Sequence, residues 1–229
     1  MSLDTPPANF RGTGETADFY DDRESSGEYR VNGMPLIDYD RVEIHRLKDK
    51  ASPTTVTWAD RWRAGRLRRR PRVELGPDVT VKAGVEVSVC ETGRLSIGAH
   101  SYLHAYSWFL LTMPHPTVVL GKWVDVGRYT VIASKQHIAI GDYTVIAPFC
   151  YIIDHEHGFS AEDVILNQRS VLKKTIVGRD CYFGTGTVVL GGVTVGDGAI
   201  IGAGSVVKTD IPAYQVWAGN PARYVRDRL

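Results

Sequence analysis

The chain carries an apolar residue at every sixth position over long stretches, and this spacing restricts its fold more than any other feature. Between Val177 and Val207 the spacing is unbroken. Upstream, the same spacing returns in groups of three that are separated by insertions. The eighteen positions are Leu75, Val81, Val87, Ile97, Leu103, Phe109, Leu120, Val126, Ile132, Ile140, Ile146, Ile152, Val177, Phe183, Val189, Val195, Ile201 and Val207. A glycine follows the first position of every group.

The insertions between the groups indicate how the repeats are arranged in space. They contain four, five, two, nineteen and no residues, in chain order. If three repeats form one coil of a solenoid, every insertion leaves at the same corner, as stacked parallel strands require. The lack of a 3.6-residue period and the abundance of Gly, Val and Ile argue against α-helices. The sequence therefore predicts an all-β chain built on a parallel β-helix of about six coils, in preference to a β-sandwich.

The residues before the repeats differ from them in composition. Residues 1–30 hold seven acidic residues, three arginines and few aliphatic residues, so we expect a flexible arm. Residues 31–72 are expected to cap the first coil, with a strand pair and then a short helix that starts at Trp58, is capped by Thr57 and ends before Pro71. The remaining predicted segments are the solenoid at 73–212, its protruding loop at 153–174 and a C-terminal segment at 213–229.

Charge and cysteine content narrow the classes of function. Lys and Arg number 27 and Asp and Glu number 26, so no overall charge attracts nucleic acid or a membrane. The three cysteines are far apart and form no CxxC motif, which disfavours a disulfide framework or a cysteine zinc cage and fits a reducing compartment. No signal peptide and no run of about 18 apolar residues are found, so we expect a cytoplasmic protein without a transmembrane segment.

Seven arginines between Arg61 and Arg72 form a strongly charged cluster. The simplest interpretation is a solvated cap over the open end of the first coil, since terminal repeats need a polar cover. A surface for nucleic acid or a membrane is a second interpretation. A landing site for a phosphorylated or lipid-linked sugar is a third.

The stretch "VTVGDGAIIGAGSVVKTDIPAYQVWAGNPARYVR", residues 193–226, resembles the closing section of the hexapeptide-repeat acyltransferases. The resemblance extends over roughly residues 73–226. The long insertion and the "AGNPA" ending are most similar to the O-acetyltransferases that act on galactosides, maltose, xenobiotics or polysaccharides. The resemblance implies a left-handed β-helix of triangular section and a homotrimer with active sites between neighbouring subunits. It also implies acetyl-CoA as co-substrate and no metal.

The longest insertion begins with "DHEHG", residues 154–158, directly after the fourth group. In the resembling enzymes a loop histidine at this corner is the general base. A neutral histidine can take the proton of an attacking hydroxyl near pH 7. Counting from the preceding "IAP" motif places the base at His157, but the variable loop length makes His155 an equal candidate. Asp154 and Glu156 are candidates to orient the ring.

Glu156 and His137 are candidates for binding the acceptor. His137 belongs to the insertion "SKQH", one coil earlier at the same corner. Adjacent coils stack about 4.8 Å apart, so His137 can border the pocket. A surface histidine at a turn is the alternative interpretation.

The resemblance also assigns coenzyme A contacts residue by residue. They are Tyr182 and Thr185 in "CYFGTG", Ala203, Lys208 and Thr209 in "GAGSVVKTD", and Gly219, Asn220, Pro221 and Arg223 in "AGNPAR". Tyr182 departs from the tryptophan of the usual "VWIG" motif. A second departure is "DVGRYT", residues 125–130, where galactoside enzymes carry asparagines for the acceptor.

The predicted function is therefore acetyl transfer from acetyl-CoA to a hydroxyl of a saccharide or glycosylated small molecule, with a loop histidine as base. We expect no nucleic-acid partner. Three alternatives remain open: N-acetylation of an amino sugar, a zinc enzyme similar to the γ-type carbonic anhydrases, and a non-enzymatic β-helix scaffold.

Overall fold

A computed structural model of the chain describes residues 30–31, 34–35 and 56–228. The chain separates into two units, Met1–Lys48 and Asp49–Leu229. The predicted flexible arm lies outside the described residues, except for Arg30.

Two short strands are described in the first unit. Strand β1 (Arg30–Val31) pairs antiparallel with β2 (Met34–Pro35). This strand pair falls at the start of the stretch for which the sequence predicts one.

The second unit is a solenoid of six coils, each built from three short strands. In chain order the solenoid strands and the two strands of its long loop are β3 (Val73–Leu75), β4 (Thr80–Val81), β5 (Glu86–Val89), β6 (Arg94–Ile97), β7 (Tyr102–Leu103), β8 (Trp108–Leu111), β9 (Thr117–Leu120), β10 (Asp125–Val126), β11 (Val131–Ser134), β12 (His137–Ile140), β13 (Val145–Ile146), β14 (Tyr151–Ile153), β15 (His155–Glu156), β16 (Val171–Leu172), β17 (Thr175–Val177), β18 (Tyr182–Phe183), β19 (Val188–Val189), β20 (Thr194–Val195), β21 (Ile200–Ile201) and β22 (Val206–Val207).

Like strands of successive coils form three parallel sheets, one for each side of a three-sided prism. The first strands form the sheet β3-β6-β9-β12-β17-β20, and the third strands form β5-β8-β11-β14-β19-β22. The second strands form a sheet that continues into β23 (Gln215–Ala218) and the antiparallel β24 (Arg223–Asp227). The predicted parallel β-helix is thereby confirmed, and its architecture agrees with the left-handed winding that the resemblance implies.

The core of the prism consists of the repeat positions. In the first sheet Leu75 pairs with Ile97, Ile97 with Leu120, and Leu120 with Ile140, so equivalent residues stack on each other. Sixteen of the eighteen positions are buried. The other two, Leu75 and Val87, belong to the first coil and pack against the core while partly exposed. Burial of one branched or aromatic side chain per strand stabilises the fold by about 1.5–3 kcal/mol each.

Helix α1 (Trp58–Arg68) packs on the first coil. Thr57 caps it as the sequence predicts: its hydroxyl accepts from the Asp60 amide, and the Asp60 carboxylate accepts from the Thr57 amide. Ala64 and Leu67 join the hydrophobic core of the solenoid.

All chain excursions leave the prism at one corner, where a third strand passes to the next first strand. The longest excursion runs between β14 and β17 and contains the antiparallel pair β15 and β16 and a 3-10 turn (Ile165–Asn167). The three cysteines, Cys90, Cys150 and Cys181, are free thiols. In the described part of the chain, no helix combines the length and the apolar character that crossing a membrane requires.

Candidate active site

The residue that organises the long-loop corner is Asp154, which directly follows β14 and is fully buried. Its carboxylate accepts hydrogen bonds from Ser134 Oγ at 2.6 Å, from the Lys135 amide at 2.8 Å and from the Gln136 amide at 2.9 Å. These donors belong to the same corner one coil earlier. The carboxylate therefore joins two coils.

His155 is the next residue, and its ring contacts the same carboxylate. Its Nδ1 lies 3.0 Å from Asp154 Oδ1, and 15% of its side chain is exposed. Burial raises the pKa of Asp154, but the hydrogen bonds from His155, Ser134 and the two amides outweigh burial and lower the pKa below its usual value. Asp154 is therefore ionised near pH 7 and can only accept, so Nδ1 of His155 must carry the hydrogen. The Nε2 atom of the neutral ring is then a proton acceptor.

The other histidine of the loop, His157, lies in a different setting. It is exposed and follows β15, whereas His155 lies within that strand. Glu156 also belongs to β15, where it pairs with Val171 of β16 and is partly exposed. The structure thus brings His155, and not His157, against the buried carboxylate.

His137 lies at the same corner but differs from the predicted position in the insertion. It is the first residue of β12 and is buried, so the surface interpretation is wrong. Its Nδ1 lies 2.5 Å from Thr117 Oγ1. Burial lowers the pKa of His137, and the charge of Lys174 lowers it further against an opposing effect of Asp154. His137 is therefore a neutral ring inside the corner.

Several predicted coenzyme A residues lie at a second corner, where the second strand of a coil passes to the third. Thr185 and Ala203 occupy equivalent places in the fifth and sixth coils, because the Gly204 amide donates to Thr185 O at 2.8 Å. The next place is taken by Gly219, whose carbonyl accepts from the Val206 amide at 3.0 Å. The three residues form one column along the prism edge.

A turn between β23 and β24 completes this column. Gly219 has φ +103°, a conformation that glycine adopts without strain, and its amide donates to Ser205 Oγ at 3.0 Å. Asn220 and Pro221 follow, joined by a cis peptide bond. Arg223 lies at the start of β24 with an exposed side chain.

The remaining predicted coenzyme A residues lie on other parts of the prism. Tyr182 is exposed in β18, on the second sheet, in register with Val145 and Ile200. Lys208 and Thr209 are exposed directly after β22, at the long-loop corner.

A column of stacked aromatic rings on the second corner has no counterpart among the sequence predictions. Tyr106 stacks on Tyr129 and Tyr129 on Phe149, each with ring centroids 5.2 Å apart and nearly parallel planes. All three rings are exposed, Phe149 by 60%. The column lies beside Arg128, whose carbonyl accepts from the Phe149 amide at 2.9 Å. The sequence signal is an aromatic residue three positions after the repeat position in three successive coils.

The aromatic column ends where glycines begin. Gly186 follows Phe149 in the column, since its amide donates to Pro148 O at 3.0 Å, and Gly204 follows Gly186. A Cβ at Gly186 would meet nothing closer than Gly204 backbone at 4.0 Å, and a Cβ at Gly204 would meet nothing within 4 Å. The face of the Phe149 ring that points away from Tyr129 therefore borders an open strip, which runs beside Thr185 and Ala203.

Over residues 56–228 and the two short strands before them, no group of three His, Cys, Asp or Glu side chains is arranged to hold a metal ion.

Two solved structures that share this fold are named as acyltransferases. An N-acyltransferase of Bacillus cereus, AntD, aligns with a TM-score of 0.64 at 17% identity over 72% of this chain and 89% of that chain. A maltose O-acetyltransferase of Clostridium difficile aligns with a TM-score of 0.53 at 21% identity over 77% of this chain and 80% of that chain. At these identities the likeness shows a shared fold.

Two relatives in sequence are named as acetyltransferases. A probable acetyltransferase of Mycobacterium tuberculosis is 32% identical over 161 residues, 69% of this chain. The match spans about half of that relative, 51% of its length. A putative colanic acid biosynthesis acetyltransferase of Escherichia coli, WcaF, is 28% identical over 169 residues, which are 74% of this chain and 76% of the relative.

The family model "Bacterial transferase hexapeptide (six repeats)" matches residues 174–209. These residues form the last two coils, in which the six-residue spacing is unbroken. The chain therefore carries the bacterial transferase hexapeptide repeat, and its resemblance to the hexapeptide-repeat acyltransferases is confirmed.

Proposed function

We propose that the chain transfers an acetyl group from acetyl-CoA to a hydroxyl of a saccharide, with His155 as general base and Asp154 as the residue that orients it. The observation that carries this proposal is the hydrogen bond between His155 Nδ1 and the buried Asp154 carboxylate, 3.0 Å long. The names of the sequence relatives support acetyl transfer, and that of WcaF supports a saccharide acceptor.

The orientation of the base follows from the contacts of Asp154. Ser134, Lys135 and Gln136 hold the carboxylate in place from the preceding coil. The carboxylate in turn fixes the His155 tautomer with hydrogen on Nδ1, which leaves the Nε2 lone pair for the acceptor. The negative charge also stabilises the imidazolium that forms when Nε2 takes a proton.

The reaction then needs one proton relay. His155 Nε2 removes the hydroxyl proton as the oxygen attacks the thioester carbonyl. A carbon–oxygen bond forms, the carbon–sulfur bond breaks, and the imidazolium returns the proton to the departing sulfur. The products are the acetyl ester and free coenzyme A, and no oxidant or reductant is required.

The second corner is suited to the extended arm of acetyl-CoA. Gly186 and Gly204 leave an open strip that a Cβ-bearing residue would narrow. Thr185, Ala203 and Gly219, which the resemblance assigns to coenzyme A, form one column beside this strip. Arg223, exposed at the start of β24 after the Gly219 turn, supplies positive charge for the phosphates.

The aromatic column is suited to the acceptor. Phe149 borders the strip at the fourth coil, which is the coil that the long loop follows. Arg128 and Tyr129 continue the surface toward the first coil. Ring faces pack against the C–H face of a pyranose, while a guanidinium and a phenol bind its hydroxyls or an attached phosphate.

We propose further that the active unit is a homotrimer in which the long-loop corner of one chain faces the second corner of its neighbour. A complementation experiment tests this: His155→Ala protein, which lacks the base, is mixed with Gly219→Val protein, which lacks the cofactor turn, under subunit exchange. If sites form between chains, random mixing restores about a quarter of the parental sites. If each site belongs to one chain, the mixture stays inactive.

The test of the reaction itself is a screen of saccharide acceptors with acetyl-CoA, read by the release of free thiol. Thiol release that requires both a saccharide and His155 is the expected result. Amino sugars that outperform hydroxyl acceptors would redirect the proposal to N-acetylation. Release that is unaffected by loss of His155 would overturn the assignment of the base.

A further inference from the structure

Helix α1 has one face buried against the first coil, and its opposite, outward face carries tryptophans and arginines. Asp60, Ala64 and Leu67 are its buried residues and face the first coil. At 3.6 residues per turn, the opposite side of the helix carries Trp58 and Trp62, one turn apart. Arg69 directly after the helix continues this row, and Arg61 and Arg66 flank it.

The two indole rings lie in solvent. Trp58 is 81% exposed and Trp62 is 58% exposed. Gly65 lies between them and Arg69 on the same side, and a Cβ built there would meet no atom within 4 Å. Large aromatic side chains on the side away from the core contribute little to folding, so a binding role accounts for them better than packing does.

Six of the seven arginines between Arg61 and Arg72 divide into two groups. Arg63 pairs with Asp60 at 2.8 Å, and Arg68 and Arg70 donate to the carbonyls of Gly76 and Val87, each at 2.8 Å. The Arg63 pair lies within the helix, and Arg68 and Arg70 tie the helix to the first coil. The guanidinium groups of Arg61, Arg66 and Arg69 belong to exposed residues on the outward side, with Arg66 5.8 Å from the Trp62 ring centroid. The acid of the helix, Asp60, is buried and also bound to Lys82. The outward face therefore combines indoles with positive charge.

We propose that this face, Trp58, Arg61, Trp62, Arg66 and Arg69, binds the surface of an anionic phospholipid bilayer. Tryptophan is favoured at the boundary between water and lipid, where its ring is buried and its N–H stays hydrated. Guanidinium groups bind lipid phosphates with two hydrogen bonds each. A cavity of about 270 Å³ beside the helix, lined by Trp62, Arg66, Arg70 and Lys82, provides room for a headgroup.

The shape of the face favours a bilayer over nucleic acid. A single helix stands on the end of the prism with its rings on the outermost row, which allows shallow insertion into a flat surface. Binding to single-stranded nucleic acid would instead require a basic groove that follows a backbone. The proposal does not depend on the reaction assigned to the long-loop corner.

The experiment measures sedimentation of the full chain with vesicles of phosphatidylcholine, with or without phosphatidylglycerol. We expect binding only to the anionic vesicles, weakened by added salt because exposed charges are screened. Trp58→Ser with Trp62→Ser should weaken binding about tenfold or more, and Arg69→Glu about tenfold. Phe159→Ser, which alters a ring that is 78% exposed elsewhere, and Arg226→Glu, the same charge change in β24, are matched controls that should bind like the parent.

Three outcomes would overturn the proposal. The first is that the chain sediments equally with both kinds of vesicle, or that it sediments with neither. The second is parental vesicle binding by the α1 variants. The third is a result that gives α1 another partner. Either the tryptophan variants change oligomeric state by light scattering, or they lose binding to single-stranded RNA while the parent binds no vesicles. These last results would assign the face to a second copy of the chain or to nucleic acid.

Discussion

The carboxylate of Asp154 and the imidazole of His155 are adjacent in the chain and joined by a hydrogen bond of 3.0 Å, although the carboxylate is fully buried and the ring reaches the surface. The pair places the negative charge of Asp154 on the Nδ1 side of the ring, opposite the Nε2 atom that can accept a proton. His157, two residues further on, is exposed.

The first prediction compares the two loop histidines. His155→Ala should lower turnover by about 10²- to 10⁴-fold, because a general base contributes that much to the removal of a hydroxyl proton. The affinity for acetyl-CoA, measured by calorimetry, should remain parental. His157→Ala is the matched control and should leave turnover within about threefold of the parent. Loss of turnover in the His157 variant alone would reverse the assignment.

The second prediction concerns the orienting residue. Asp154→Asn should also lower turnover by about 10²-fold or more, because an amide no longer selects the tautomer with hydrogen on Nδ1. It should cost about 1–3 kcal/mol of unfolding free energy as well, since Ser134 and the two corner amides lose a charged acceptor. Chemical unfolding and steady-state kinetics on the same preparation separate these effects. A variant that is destabilised yet fully active would make Asp154 purely structural.

The choice between His155 and His157 illustrates what the sequence cannot provide. Counting along the loop points to His157, and the variable loop length leaves His155 an equal candidate. Spacing along the chain says nothing about which of the two rings contacts a partner. The partner of His155 is Asp154, and Asp154 is positioned by Ser134, twenty residues earlier. Such a contact depends on the stacking of coils and becomes visible only in three dimensions.

The solenoid, in contrast, follows from local pattern. A six-residue spacing assigns the inward side chain of each strand, and sixteen of the eighteen assigned residues are buried. The aromatic column lies outside this pattern, because Tyr106, Tyr129 and Phe149 are exposed at the turns, whereas the six-residue spacing follows the buried side chains.

The third prediction tests the charge at the C-terminal turn. Arg223→Ala should weaken coenzyme A binding about tenfold, since a guanidinium on a phosphate makes charge-assisted hydrogen bonds. Arg226→Ala is the control, because Arg226 lies further along β24 from the Gly219 turn and its guanidinium donates to the Asp227 carbonyl at 3.1 Å. Calorimetric titration with coenzyme A and with its dephospho form measures both. Equal losses in the two variants would indicate only a general effect of charge.

The fourth prediction concerns the pH dependence of stability through Asp60. Burial raises its pKa, but hydrogen bonds from Lys82 and Thr57 outweigh burial and lower it from 3.8 to about 2. Because the pKa is lower in the folded chain, ionised Asp60 stabilises the fold above the unfolded value, and this contribution is lost as pH falls toward 2. Asp60→Asn should therefore cost about 2 kcal/mol at pH 7 and roughly half of that at pH 3.

Urea unfolding of parent and variant at the two pH values measures this difference. Asp78→Asn, which alters an exposed carboxylate of the first coil, is the control and should change the unfolding free energy little at either pH. A cost of Asp60→Asn that does not change with pH would show that ionisation plays no part in it.

The last prediction tests the aromatic column as the acceptor surface. Phe149 has φ +62°, and the equivalent Gly84, Gly186 and Gly204 have φ between +67° and +75°, so glycine fits this turn without strain. Phe149→Gly therefore removes the ring and leaves the backbone intact. We expect the KM for the saccharide to rise about tenfold, because a stacked ring contributes about 0.5–1.5 kcal/mol beyond its buried area. The affinity for acetyl-CoA should stay close to parental.

Tyr106→Gly is the matched control for this variant, since it removes a stacked ring from the same column two coils further from the open strip. It should leave the KM for the acceptor close to parental while lowering the thermal unfolding midpoint to a similar extent. Equal rises in KM for both variants would place the acceptor along the whole column. If KM is unchanged in both while stability falls, the column only supports the turns, and the acceptor must bind on another surface beside the long-loop corner.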